Sequence, residues 1–241
     1  MRNVNGLLRV FKCVGLILVL GGSMPASAEL LGFGGDSWKE EVLLHDGQKL
    51  IVERSQSYGG RHEIGQPAPI KEQSITFTLP NASKSITWKD ESTEDIGHAN
   101  FDLLALHVIN NIPYIVTSPN LCISYNKWGR PTPPYIFFKY DGTAWQKISL
   151  AEFPVEFKDI NLVIDDVPDR KELTDHGAIS AESVKRLNSS LTQKEYKAIA
   201  RTPIEIGCPV LVRIKGGWQS PGGAKAPFPI APSEANQKNN N

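Results

Sequence analysis

The sequence predicts a mainly β fold: an antiparallel β-sandwich or a propeller-like meander of hairpins, with a short two-helix segment toward the C-terminus. Three observations carry this. Runs of alternating apolar and polar residues recur in pairs, and the turn dipeptides Asp46-Gly47, Asn110-Asn111 and Asp141-Gly142 stand between partners. Helical spacing of apolar residues appears only after Ser180. The sandwich is the more usual solution at this size, and no internal repeat of propeller length is visible.

In chain order, residues 1–28 read as an export signal. Arg2, Arg9 and Lys12 form a basic start, Val14 to Leu20 an apolar core, and Ala26-Ser27-Ala28 a small-residue cleavage site. The apolar core falls far short of the roughly 20 residues that span a bilayer, so no membrane span is expected. Cleavage leaves 213 residues with 23 Lys and Arg against 26 Asp and Glu, a net charge of about −3. That balance lacks the concentrated positive charge on which nucleic-acid binding rests. The expected location is periplasmic or secreted.

Residues 29–37 read as a flexible Gly-rich lead-in, and 38–215 as a single β-rich domain. Trp38 to Arg54 turns at Asp46-Gly47, with Val42, Leu44, Leu50 and Val52 on the buried face. Ser55 to Gln73 reads as a long loop rich in Gly, Pro, Ser and charge, a length that is usually functional. Ser74 to Lys89 alternates cleanly as a hairpin that is buried on one side and wet on the other. Phe101 to Ile109 is apolar on both faces and predicts a central strand, paired with Ile112 to Thr117 across Asn110-Asn111. Ser118 to Pro134 reads as irregular, and Tyr135 to Leu150 as a hairpin about Asp141-Gly142. Phe157 to Ile164 predicts one more strand.

The helical segment spans about 180–201. Ser180 caps a helix carrying Val184, Leu187 and Leu191, and Thr192 to Glu195 reads as a capping box for a second. Val210 to Ile214 predicts a last strand returning to the sheet. Residues 216–241, rich in Gly, Pro and Asn, read as a disordered tail.

The mature chain has two cysteines, Cys122 and Cys208. In an exported protein such a pair reads as a disulfide.

Two stretches, Tyr125-Asn126-Lys127-Trp128-Gly129-Arg130-Pro131 and Phe137-Phe138-Lys139-Tyr140-Asp141-Gly142, resemble those of a family of exported bacterial proteins of unknown function. The resemblance covers roughly Trp38 to Leu191. It implies a Gram-negative origin and carries over no catalytic residue.

No standard hydrolase, phosphate-binding or dinucleotide motif occurs, and the five His show no metal-ligand spacing. No metal or cofactor is expected. His107, in an apolar strand, reads as a hydrogen-bonded core residue. Ser124 to Lys127 matches S-x-x-K, the serine–lysine pair that works on one helical turn, yet it lies between strand signals with no K-T-G after it. Glu152 to Asp175 holds eight acids against three bases, without a Gly turn to shape a calcium loop, and reads as a solvated face. Arg61, His62 and Glu63 are the candidate acid/base group, since a His beside a carboxylate can carry a proton near neutral pH. Tyr125, Asn126, Trp128, Arg130 and Tyr135 form the candidate binding group, because aromatics in a Pro-stiffened loop can stack on a sugar or grip a protein.

The leading expectation is therefore a non-enzymatic module that binds an envelope protein or glycan through loops at 58–73 and 125–135. The alternatives are a hydrolase centred on His62 and Glu63, or a structural envelope component.

Overall fold

The computed structural model describes residues 35–60, 62, 65–80, 82–164, 177–215 and 217–222. The stretch read as an export signal, Arg61, Glu63, Asp165, Asp166, Asp169 and the residues beyond Gly222 lie outside the described residues.

Two antiparallel sheets face each other. The first runs through β1 (Gly35–Leu43), β2 (Lys49–Tyr58), β3 (Ile70–Thr78) and β4 (Ser85–Glu91), each paired with the next. The second contains β5 (Phe101–Ile109), β6 (Ile112–Pro119), β7 (Ile136–Tyr140) and β8 (Trp145–Ile148), again in chain order. A two-residue strand, β9 (Ala178–Ile179), joins the first sheet in parallel beside β1. The expected mainly β, antiparallel sandwich is thus the architecture found.

The turns obey their sequences. Asn110 and Asn111 both have positive φ, 51° and 60°, as the mirror-image two-residue turn between right-twisted strands requires. At Asp141 the carboxylate accepts from the Thr143 and Ala144 amides, both at 2.8 Å, closing the β7–β8 turn. These bonds hold the Asp141 carboxyl well below the usual carboxylate range.

The inner face of the first sheet contributes Val42, Leu50, Val52, Ile75, Phe77 and Trp88, which pack on Phe101, Leu103, Leu106, Ile115 and Ile136 of the second. Each such side chain contributes about 1.5–3 kcal/mol of burial. The outer face of the first sheet is polar and is laced by cross-strand pairs such as Thr76–Thr87 at 2.9 Å. The second sheet is covered on both faces: Leu104, Tyr114, Val116 and Phe137 pack beneath Phe153, Phe157 and Ile199.

That double cover explains the unbroken apolar run of β5, but the strand is not central. It lies at the edge of its sheet. The Asn161 side chain closes that edge, accepting from the Leu106 amide at 3.0 Å and donating to the Leu106 carbonyl at 2.8 Å, with a further bond to the Leu43 carbonyl. Phe157 to Ile164 is consequently not a strand. It is an irregular cover whose buried side chains replace a layer and whose polar groups satisfy an edge.

Four further differences bear on the site. β2 and β3 extend into the expected long loop and shorten it to residues 59–69. The stretch expected to be irregular contains helix α1 (Leu121–Lys127). Helix α2 (Ala181–Ser189) forms with Ser180 as its cap, but the capping-box stretch yields only a 3-10 turn at Lys194–Tyr196, without a side-chain cap. Finally, β10 (Val212–Ile214) does not return to the sheet: it pairs with β11 (Gly217–Gln219), whose Trp218 is buried beside Ile96, Ile123 and Leu211. Described order thus continues past residue 216, where composition suggested a tail.

Candidate functional site

The inward faces of β1 to β4 change character along their length. Glu40, Val52, Phe77 and Ile86 stand side by side in one cross-strand row, and Trp38, Arg54, Ile75 and Trp88 in the next. The third row holds Asp36, Gln56, Gln73 and Asp90. Strict alternation points these polar side chains inward, and Arg54, Gln56, Gln73 and Asp90 are all buried.

Two networks satisfy much of this polarity. Glu40 Oε1 accepts from Trp38 Nε1 at 2.6 Å and from an Arg54 terminal nitrogen at 3.1 Å, while Oε2 accepts from the Val163 amide at 3.0 Å. Burial pushes the Glu40 carboxyl up, opposed by Arg54, by the Val163 amide and by the Trp38 indole. The second network joins the sheets. Asp90 accepts from Gln73 at 3.2 Å, from Asn100 at 2.9 Å and from the Phe101 amide at 2.9 Å. Burial raises its carboxyl as well, against those hydrogen bonds. Gln73 also donates to the Phe101 carbonyl, and Trp128 Nε1 donates to Asn100 Oδ1 at 3.2 Å.

Beside these networks the sheets part around a cleft of about 390 Å³. Its floor is Arg54, Gln56 and Gln73, and its facing wall is Phe101 and Leu103, with Asp102 and Ser118 lining it from the other face of β5 and β6. Ile206 and the Cys122–Cys208 disulfide lie along its rim. The expected disulfide is therefore present, with a sulfur–sulfur distance of 2.05 Å. It ties the extended C-terminal segment to α1.

The expected binding group sits beside this rim with its polar atoms engaged. Asn126 Nδ2 donates to the Cys122 and Pro209 carbonyls at 2.8 and 2.9 Å, and its Oδ1 accepts from the Leu211 amide at 2.9 Å. Arg130 donates to the Cys208 and Pro209 carbonyls, both at 3.0 Å, with its guanidinium 5.0 Å from the Tyr125 ring centre. Tyr125 is itself buried. Trp128 packs on Phe101 at 4.6 Å. Tyr135 is buried and donates to the Glu195 and Ala198 carbonyls at 2.9 and 3.0 Å, and burial pushes its hydroxyl up to about 12. Of the five, only Tyr125 lines the cleft.

His62 stands exposed, with Nδ1 3.1 Å from the Gly60 carbonyl, and does not line the cleft. His107 occupies the core as expected: Nε2 lies 2.8 Å from the Asp159 carbonyl and the ring stacks on Phe157. The S-x-x-K pair does lie on a helix, contrary to expectation, but its members part company. Ser124 Oγ donates to the Asn100 carbonyl at 2.5 Å, and Lys127 donates to Thr93 at 2.7 Å and to Asp95 at 3.2 Å. Among the described residues no three His, Cys, Asp or Glu converge as a metal site, and no helix is long and apolar enough to cross a membrane.

Arg54, Gln56 and Gln73 were not singled out in the sequence, although a signal for them exists. Continuing the alternation of Leu50 and Val52 lands on Arg54 and Gln56, and running that of Ile75 and Phe77 backward lands on Gln73.

Compared with family models, curated proteins and solved structures, the chain matches none.

Proposed function

We propose that this is an exported, non-enzymatic binding module of the cell envelope, and that its ligand enters the cleft between the sheets. The observation that carries this reading is the set of buried polar side chains on the cleft floor. A sandwich interior is normally apolar, and polar groups there lower stability unless they are used. Convergent polar groups in a partly apolar cleft are what ligand sites are made of.

The two stretches through which binding was expected both contact the 92–100 segment, which supports a site nearby. Ala99 bonds back to Ile70 at the base of the 59–69 loop, and α1 is anchored to Thr93, Asp95 and Asn100 in the same 92–100 segment. In this reading the 125–135 stretch shapes the rim and holds the C-terminal segment, and does not itself take the ligand. Its partnered side chains support that role. The exposed position of His62, away from the cleft, favours binding over hydrolysis at that residue. Export rests on the N-terminal pattern, and the disulfide is compatible with it.

Native mass spectrometry of the protein purified from its own envelope fraction tests the reading. A bound small molecule, lost on blocking the cleft by Ser118→Trp in a variant with unchanged circular dichroism, is the expected result. A ligand retained in that variant would place binding elsewhere. N-terminal sequencing tests export, with Glu29 expected first.

A further inference from the structure

The chemistry of the cleft selects a class of ligand. This inference rests on the binding reading above. Arg54 is the first consideration. Its side chain is almost wholly buried, and one terminal nitrogen serves both Glu40 and the Val163 carbonyl. Its Nε is buried without a hydrogen-bond partner among the described residues, and its other terminal nitrogen makes no hydrogen bond there either. The guanidinium therefore has donors to spare, but its charge is already matched by Glu40. The other charged residues lining the cleft, Asp102 and Glu195, are carboxylates. An anionic ligand would meet no unmatched cation among the described lining residues, and a cationic one would have to sit beside a guanidinium.

What the floor offers is neutral hydrogen bonding of both polarities. The Gln56 side chain accepts from Tyr58 at 3.1 Å through its oxygen, and its amide nitrogen has no partner among the described residues. Gln73 spends its nitrogen on Asp90 and Phe101, and its oxygen has no partner among the described residues. Donor and acceptor thus meet on one surface, opposite the apolar side chains of Phe101 and Leu103.

Arg54 and Gln56 lie on β2 and Gln73 on β3, both interior strands of the first sheet. Their backbone groups are committed to the ladder, so an extended peptide has no strand edge to add to at the floor. Recognition there is by side chains alone. A sugar ring suits such a surface, because each hydroxyl both donates and accepts while the ring C–H groups pack on apolar walls. We propose that the cleft binds a neutral saccharide of one or two rings, with its hydroxyls on Gln56 and Gln73.

Saturation-transfer NMR on the oxidised full-length mature chain tests this with glucose, N-acetylglucosamine, maltose and chitobiose as probes. Triglycine, phenylacetate and phenethylamine serve as peptide, anionic and cationic controls. At least one saccharide is expected to bind at about 10 mM or below, with none of the controls competing. Gln56→Leu is expected to weaken that binding about tenfold, with circular dichroism and melting temperature unchanged, because only the Tyr58 hydroxyl loses a partner. Gln73→Leu is a second variant, read only if it folds. No saccharide signal at that concentration, or sugar binding unaltered in Gln56→Leu, overturns the proposal. Binding of a control with no sugar signal also overturns it, but leaves the cleft standing as a binding site.

Discussion

Arg54 and Glu40 lie diagonally across β2 and β1, two residues off direct register, and meet at 3.1 Å where neither side chain reaches solvent. Trp38, directly opposite Arg54, holds the same carboxylate through its indole nitrogen and has the guanidinium 5.2 Å from its ring centre. The pair reaches beyond its own sheet, since Val163 donates its amide to Glu40 and its carbonyl accepts from Arg54. It therefore pins the irregular cover segment to the sheet beside the cleft.

Removing one partner should cost far more than removing both. Arg54→Met strands a buried carboxylate and is expected to lower stability by about 3–5 kcal/mol. Glu40→Met with Arg54→Met leaves no buried charge, and should be destabilised by much less than the two single changes summed. Urea unfolding of the four proteins checks this. Additive effects would mean that the two side chains act independently.

Asn126 tests whether the 125–130 stretch is a clamp. Its amide bridges α1 to Pro209 and Leu211, and it also receives an Arg130 donor at 3.2 Å. Asn126→Ala is expected to cost about 2 kcal/mol and to speed proteolysis around residues 203–211. A stable variant with an unchanged digestion pattern would return Asn126 to the pool of candidate ligand contacts.

The hairpins were legible because each has its own turn chemistry and period, as Asn110-Asn111 and the Ser74 to Lys89 alternation illustrate. The edge position of β5 was not legible. An apolar run reports that both faces are covered, but covering Leu104 with Phe157 reads the same in sequence as covering it with another sheet. Helix α1 was hidden for a different reason: at 7 residues it is too short for a period, and its hold comes from Ser124 on Asn100 and Lys127 on Asp95. The site itself was half legible. Aromatic and charged residues drew attention to 125–135, whereas the cleft floor consists of polar residues at positions whose inward direction follows only from strand phase.

His107 should stay neutral well into the acid range. Burial is the chief cause, and its pKa is lowered from 6.5 to about 4. The unfolded chain therefore binds a proton that the folded one refuses. The stability this residue permits is complete above about pH 6.5, and declines as pH falls toward 4, by roughly 3 kcal/mol in all. Glu40 and Asp90, raised by burial, act in the opposite sense, so the overall pH profile is not the measurement to use. NMR titration of the His107 ring is: its shifts should move only near pH 4. A midpoint near 6.5 would mean that the ring is solvated.

The disulfide should matter to the rim more than to the sandwich. It spans 86 residues, which in the chain-entropy model stabilises the fold by about 4–5 kcal/mol. Yet the sheets and their core include neither cysteine, and Asn126 and Arg130 tie the 208–211 segment through hydrogen bonds separate from the bridge. Cys122→Ala with Cys208→Ala is accordingly expected to fold with a lower melting temperature and unchanged far-UV circular dichroism. Hydrogen exchange should rise selectively in 203–215 and around Trp218, whose ring packs with Leu211 and Ile123. If exchange rose equally across β1 to β8, the bridge would be holding the sandwich together, and the C-terminal segment would be part of its core.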